Sequence, residues 1–78
     1  MIGTKVLFNL YTVGSTAPEQ YVGIIRDKYL AVDNQNNVIH KYLVSVEDVL
    51  FTGEAAKPLE KGSVTSLQPS SISEIISQ

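Results

Sequence analysis

From Val38 to Val46 the chain changes side at every residue. Val38, His40, Tyr42, Val44 and Val46 fall on one face of an extended segment, and Ile39, Lys41, Leu43 and Ser45 on the other. A period of two is strand geometry, because successive side chains of a β-strand point to opposite faces. The same period returns between Lys5 and Tyr11, where Val6, Phe8 and Leu10 share one face. Tyr21 to Arg26 reads as another strand, with Gly23 inside it marking a bulge or a close approach of backbones. Tyr29 to Val32 reads as a third strand, or as the second continued after a kink at Asp27-Lys28. Val64 to Leu67 is short and strand-like.

Breaks of specific chemistry separate these segments. Thr12 to Gln20 holds Gly14, Ser15, Thr16 and Pro18 and has no apolar period, so it reads as a loop. The run Asp33-Asn34-Gln35-Asn36-Asn37 is the clearest turn. Asn and Asp tolerate positive φ and bond their own backbone, so a hairpin is expected between the flanking strands. Val46 to Phe51 reads two ways: Ser45 and Asp48 resemble a helix start, whereas an extended path into a strand at Val49 to Thr52 fits better, because Gly53 ends the run after too few residues for an independent helix. Gly53 to Ser63 is the longest loop. After Pro69, Ser71 and Glu74 have capping-box spacing, and Ile72, Ile75 and Ile76 would share one face of a helical turn over an open end of the sheet.

Five to six short strands and a C-terminal helical turn in 78 residues predict a mainly β single domain, either a small barrel or a strongly bent antiparallel sheet. The expected core is Val6, Phe8, Leu10, Ile25, Leu67 and either Leu43 or Val44. The order Gly3-x-Lys5-Val6-x-Phe8, then Tyr21 to Asp27, then Tyr42 to Val44, then Val64, Leu67, Pro69, Ile72 and Ile75 resembles SH3-like barrels of the KOW and Tudor kind. The resemblance implies an opening strand, a glycine-bearing strand, a long hairpin carrying the Tyr-x-Val strand, and a last strand before a short helical turn. It covers nearly the whole chain and informs fold more than function. In overall style the chain is also similar to small proteins encoded by tailed bacteriophages. The cation-rich loops of nucleic-acid-binding KOW modules and the aromatic cage of methyl-reading Tudor modules are missing.

Composition narrows the function. Apolar residues make up 44% of the chain and charged residues 18%, which is globular but less charged than the ~25% usual in soluble domains. With no cysteine and one histidine, neither a disulfide nor a zinc site is expected, and no cofactor is implied. No apolar run approaches the ~20 residues that span a bilayer, and Met1 to Leu10 lacks the layout of a signal peptide. The chain therefore reads as cytoplasmic or as part of a virion, without a membrane.

Catalytic sets are absent from this reading. His40 is the one side chain suited to proton chemistry near neutral pH, and strand parity sets it opposite to Ser45, the nearest hydroxyl. Glu47 and Asp48 are adjacent and would diverge in a strand. Asp33, Asn34, Asn36 and Asn37 lack the glycine and distal glutamate of a calcium loop, and neither phosphate-cradling glycine motif occurs. The expectation is a non-enzymatic protein-interaction or structural module, within a phage or other multi-subunit assembly. Tyr11, Tyr21, Tyr29 and Tyr42 are its candidate partner-binding residues, since tyrosine joins an apolar ring to a polar tip. The alternative is a nucleic-acid-binding KOW-like module. It needs Arg26, Lys28 and Lys41 to meet across neighbouring strands, in a chain whose net charge is −2.

Overall fold

The computed structural model describes residues 2–11, 17–53 and 57–78. Among the described residues five strands follow one another: β1 (Lys5–Leu10), β2 (Glu19–Val32), β3 (Val38–Phe51), β4 (Val64–Leu67) and, after a 3-10 turn at Pro69–Ser71, β5 (Ile72–Ser77). They form one antiparallel sheet in the order β4-β3-β2-β1-β5. The sheet is mainly built by β2 and β3, each 14 residues long, and the described residues include no α-helix.

The bend of the sheet comes from interruptions in register. The β2–β3 ladder slips between Gln20 and Tyr21, between Val22 and Gly23, and between Ile25 and Asp27. Each slip leaves one residue unmatched and increases the local twist. Gly23 makes one such site passable. A Cβ there would overlap Val44 Cγ1 and lie 2.8 Å from the Ser45 carbonyl oxygen and 2.9 Å from Phe8 Cε1. The bend wraps one face around a core of Val6, Phe8, Tyr21, Ile25, Tyr42, Val44, Val46 and Leu67, with Leu10, Val49, Leu59 and Ile72 packed against it. The Phe8 and Tyr21 rings, cross-strand partners in the β1–β2 register, stack at 5.3 Å.

Several open alternatives are decided, and some expectations change. Tyr29 to Val32 is the continuation of β2, because the break at Asp27-Lys28 is a bulge at Arg26 that the strand passes through. Val46 to Phe51 likewise continues β3, without a turn of helix and without a separate strand; the ladder to β2 satisfies its backbone. Between Val44 and Leu43 the core takes Val44, which lies opposite Ile25, while Leu43 stays outside the buried cluster. The C-terminal helix shrinks to Pro69–Ser71, capped by Gln68 with no side-chain bond, and Ser71 with Glu74 forms no capping box. Ile72 onward becomes β5, since β1 offers an unpaired edge and a strand there satisfies more backbone groups than one turn of helix. The sheet remains open, with β4 and β5 at its two edges.

The polar turn folds as expected. The amide of Asp33 donates to the Asn37 carbonyl at 3.0 Å, and that of Asn36 to the Asp33 carbonyl at 3.1 Å. Asn36 has φ of 62°, so the turn ends on a left-handed residue, as three-residue hairpin loops do. Asp33 Oδ1 accepts the amides of Gln35 at 2.8 Å and Asn37 at 2.9 Å, and these bonds hold its carboxyl below the ordinary range.

Candidate functional site

β2 and β3 outrun their neighbours. β1 pairs with β2 from Glu19 to Ile24, and the bonds of Gly3 and Thr4 to Ile25 carry that edge one residue further. β4 pairs with β3 from Tyr42 to Ser45. From Asp27 to Val32 and from Val38 to Lys41 the hairpin pairs only with itself among the described residues. It projects as a two-stranded arm. Residues directly opposite one another share a face, so Leu30 with His40 and Val32 with Val38 continue the core face, while Tyr29 with Lys41 and Ala31 with Ile39 lie on the outer face. Leu30, Val32 and Val38 are 62, 64 and 66% exposed. A lone exposed leucine is ordinary on a protein surface, but three neighbouring apolar side chains on a projecting ribbon form a patch.

The four tyrosines do not form one surface. Tyr21 is fully buried, and its hydroxyl donates to Glu19 Oε1 at 2.5 Å and accepts the Leu59 amide at 3.0 Å. Burial, then the bond to Glu19, raise its pKa. Tyr42 is buried too, opposite Leu67. Both are core residues, so they drop out as partner contacts: their side chains lie on the face around which the sheet bends. Tyr29 sits at the base of the arm, its hydroxyl bonded to Ser66 Oγ. Tyr11 is the most exposed of the four, at the end of β1. Tyr11 and Tyr21, the two candidates that flank the loop Thr12 to Gln20, do not share a surface, because Tyr21 is buried, and residues 12–16 of that loop lie outside the described residues. In the other long loop, residues 54–56 lie outside them as well. Its second half is tied down: Gly62 donates to the Val46 carbonyl and Val46 to the Ser63 carbonyl, both at 2.8 Å.

Arg26, Lys28 and Lys41 also separate. Lys28 lies opposite Tyr42 on the core face, and Lys41 opposite Tyr29 on the outer face. Arg26 is engaged, with Nε donating to Ser45 Oγ at 2.8 Å and Nη2 3.5 Å from Glu47 Oε1. His40 is exposed on the arm, on the face opposite to that of Ser45. Among the described residues no three His, Asp or Glu side chains gather to hold a metal ion, and no helix is long and apolar enough to cross a membrane.

A hollow of about 240 Å³ opens where β1 ends against the 3-10 turn, lined by Asn9, Leu10, Tyr11, Ser70, Ser71 and Ser73. None of these side chains is charged. Asn9 Oδ1 is sealed from solvent and has no hydrogen-bond partner among the described residues.

Sequence reasoning overlooked Leu30, Val32 and Val38 as surface residues. A signal was present: the residues flanking the turn are apolar at consecutive positions, Leu30-Ala31-Val32 and Val38-Ile39, so they leave apolar side chains on both faces of any hairpin they form. Compared with protein-family models, with curated proteins and with solved structures, the chain matches none. Its class therefore rests on its own architecture, a mainly β chain in one open five-stranded antiparallel sheet.

Proposed function

We propose that this protein is a non-enzymatic interaction module of the SH3-like type that builds into a multi-subunit assembly through its β2–β3 arm. The observation that carries the reading is the exposure of Leu30, Val32 and Val38 on a hairpin that, among the described residues, lacks strand partners on either side. An isolated two-stranded ribbon is marginal in water, and an apolar one gains most from being covered. The SH3-like element has support in the order of parts: an opening strand, a strand carrying Gly23, a long hairpin bearing Tyr42 to Val44, and a strand followed by a 3-10 turn. A nucleic-acid role has less support, because Lys28 and Lys41 face opposite ways and Arg26 is paired with Glu47.

The test replaces Leu30 with a photo-crosslinking side chain and irradiates the protein in the cells or particles where it is made. Cross-links to protein at position 30 support the reading. Cross-links only to nucleic acid turn it to the KOW-like alternative, and a chain with no cross-link at all overturns it.

A further inference from the structure

The hollow beside the 3-10 turn lies at the opposite end of β2 from the arm. Leu10, on its wall, pairs with Glu19, the first residue of β2, whereas the arm holds the last residues of that strand. The hollow exists because β5 stops short of the end of β1. Their ladder ends at Phe8 with Ile72, and the chain before Ile72 turns through Pro69–Ser71, so Asn9, Leu10 and Tyr11 have no partner in β5. The lining excludes most ligand chemistry. Among the described residues it has no Lys, Arg or His to pair with a phosphate or carboxylate, and no Asp or Glu to attract a cation. A wholly apolar ligand fits no better, because Asn9, Ser70, Ser71 and Ser73 bring an amide and three hydroxyls beside the single aliphatic Leu10. A hydroxyl donates and accepts, and an amide offers donors and an acceptor, so the set suits a neutral ligand carrying both kinds of group.

We propose that this hollow binds a saccharide, with one pyranose ring seated among Asn9, Ser70, Ser71 and Ser73 and its C–H face against the Tyr11 ring. The site is independent of the arm. Tyr11 is 76% exposed, and an aromatic face left in water beside a polar hollow matches a ligand that is apolar on its face and hydroxylated at its edge. Asn9 Oδ1 is sealed from solvent and unpartnered among the described residues. A buried acceptor without a donor costs free energy. The last torsion of a carboxamide is broad, so the amide can turn and take a hydrogen bond from a ligand hydroxyl. Ser73 Oγ donates to the Leu7 carbonyl at 3.3 Å and so presents its lone pairs to a ligand donor. A volume of about 240 Å³ falls below the about 300–1,000 Å³ of drug-sized sites, which suits a single ring. A nucleotide base could also stack on Tyr11, but its phosphate would meet no cation along the lining, so the sugar is favoured. One uncharged ring gives weak binding, with a Kd of about 1 mM.

NMR titration of the isotope-labelled full chain tests this, with the methyl glycosides of glucose, galactose, mannose and N-acetylglucosamine as probes and adenosine for comparison. The expected result is a saturable shift of the amides of Asn9, Tyr11, Ser70, Ser71 and Ser73 with at least one glycoside, while the amides of Leu30 and Val38 on the arm stay in place. Tyr11→Ala removes the ring from an exposed position and should weaken binding by about tenfold. Asn9→Val separates binding from structure. It removes the unpartnered acceptor and favours a strand, so the urea midpoint should hold or rise while affinity falls by about tenfold. The inference is overturned if no glycoside moves these amides at tens of millimolar, if adenosine alone moves them, or if the folded Tyr11→Ala and Asn9→Val variants bind as the wild type does. If Asn9→Val fails to fold, Ser71→Ala takes its place, and unchanged affinity in both Ser71→Ala and Tyr11→Ala overturns the site.

Discussion

The hydroxyl of Tyr21 joins two parts of the molecule: its own strand, through the buried carboxyl of Glu19, and the backbone of Leu59 in the loop after β3. Tyr21→Phe keeps the ring against Phe8 and leaves the Leu59 amide without this partner in a half-buried site. A loss of about 1–3 kcal/mol is expected in urea unfolding. The same hydroxyl sets a response to alkali. Its folded pKa is raised, so its contribution to stability is complete below the ordinary tyrosine value and is lost as pH rises through the folded value. Wild-type stability should therefore fall more steeply above about pH 10 than that of Tyr21→Phe. Gly23 is a second residue-scale constraint. Gly23→Ala forces a methyl group against Val44, the Ser45 carbonyl and Phe8 and should cost about 1–3 kcal/mol, read as a lower urea midpoint with unchanged slope.

At the scale of elements, the turn and the last strand behave differently from what their local sequences suggest about strength. The turn at Asp33 depends on one carboxylate that accepts two amides. Its carboxyl is held below the ordinary range, so the support it gives is present above that range and is lost as pH falls through the folded value. Asp33→Ala should speed amide exchange at Gln35 and Asn37 near neutral pH, and acidification of the wild type should do the same. The C-terminal turn is weaker than its sequence implies. Ser71 makes no capping bond, so Ser71→Ala should change stability by no more than about 0.5 kcal/mol. Removal of residues 72–78 is another matter. It takes away β5, uncovers the β1 edge and removes Ile72 from its packing on the core. The truncated chain should unfold or aggregate, which loss of the near-UV circular dichroism signal would register.

Across the whole molecule, stability is concentrated where three or more strands overlap. The stretch of β2 from Glu19 to Ile25 has β1 on one side and β3 on the other, and its residues Tyr21 and Ile25 are fully buried. The arm has one ladder and no third strand among the described residues. Hydrogen exchange should therefore form a gradient in dilute monomer, slowest at Phe8, Ile25 and Val44 and fastest at the outward amides of Leu30, Val32, Val38 and His40. An even protection pattern along β2 and β3 would show that the arm is braced in some other way.

Much of this was present in the chain before folding. The alternation of Val6, Phe8 and Leu10, and of Tyr42, Val44 and Val46, determined which face of each strand is buried, because strand parity is a local property. The Asp-Asn-Gln-Asn-Asn run determined the hairpin for the same reason: its bonds span at most four residues. Tertiary structure decided the rest. Whether a bulge at Arg26 ends a strand or bends it depends on the ladder opposite, and whether Ile72 to Ser77 winds or extends depends on the free edge of β1. Whether Tyr21 is a core residue or a contact depends on how sharply the sheet closes over it, which the register slips around Gly23 set. The arm belongs to this second class. Its exposure follows from where β1 and β4 stop, and no residue within the arm encodes the length of its neighbours.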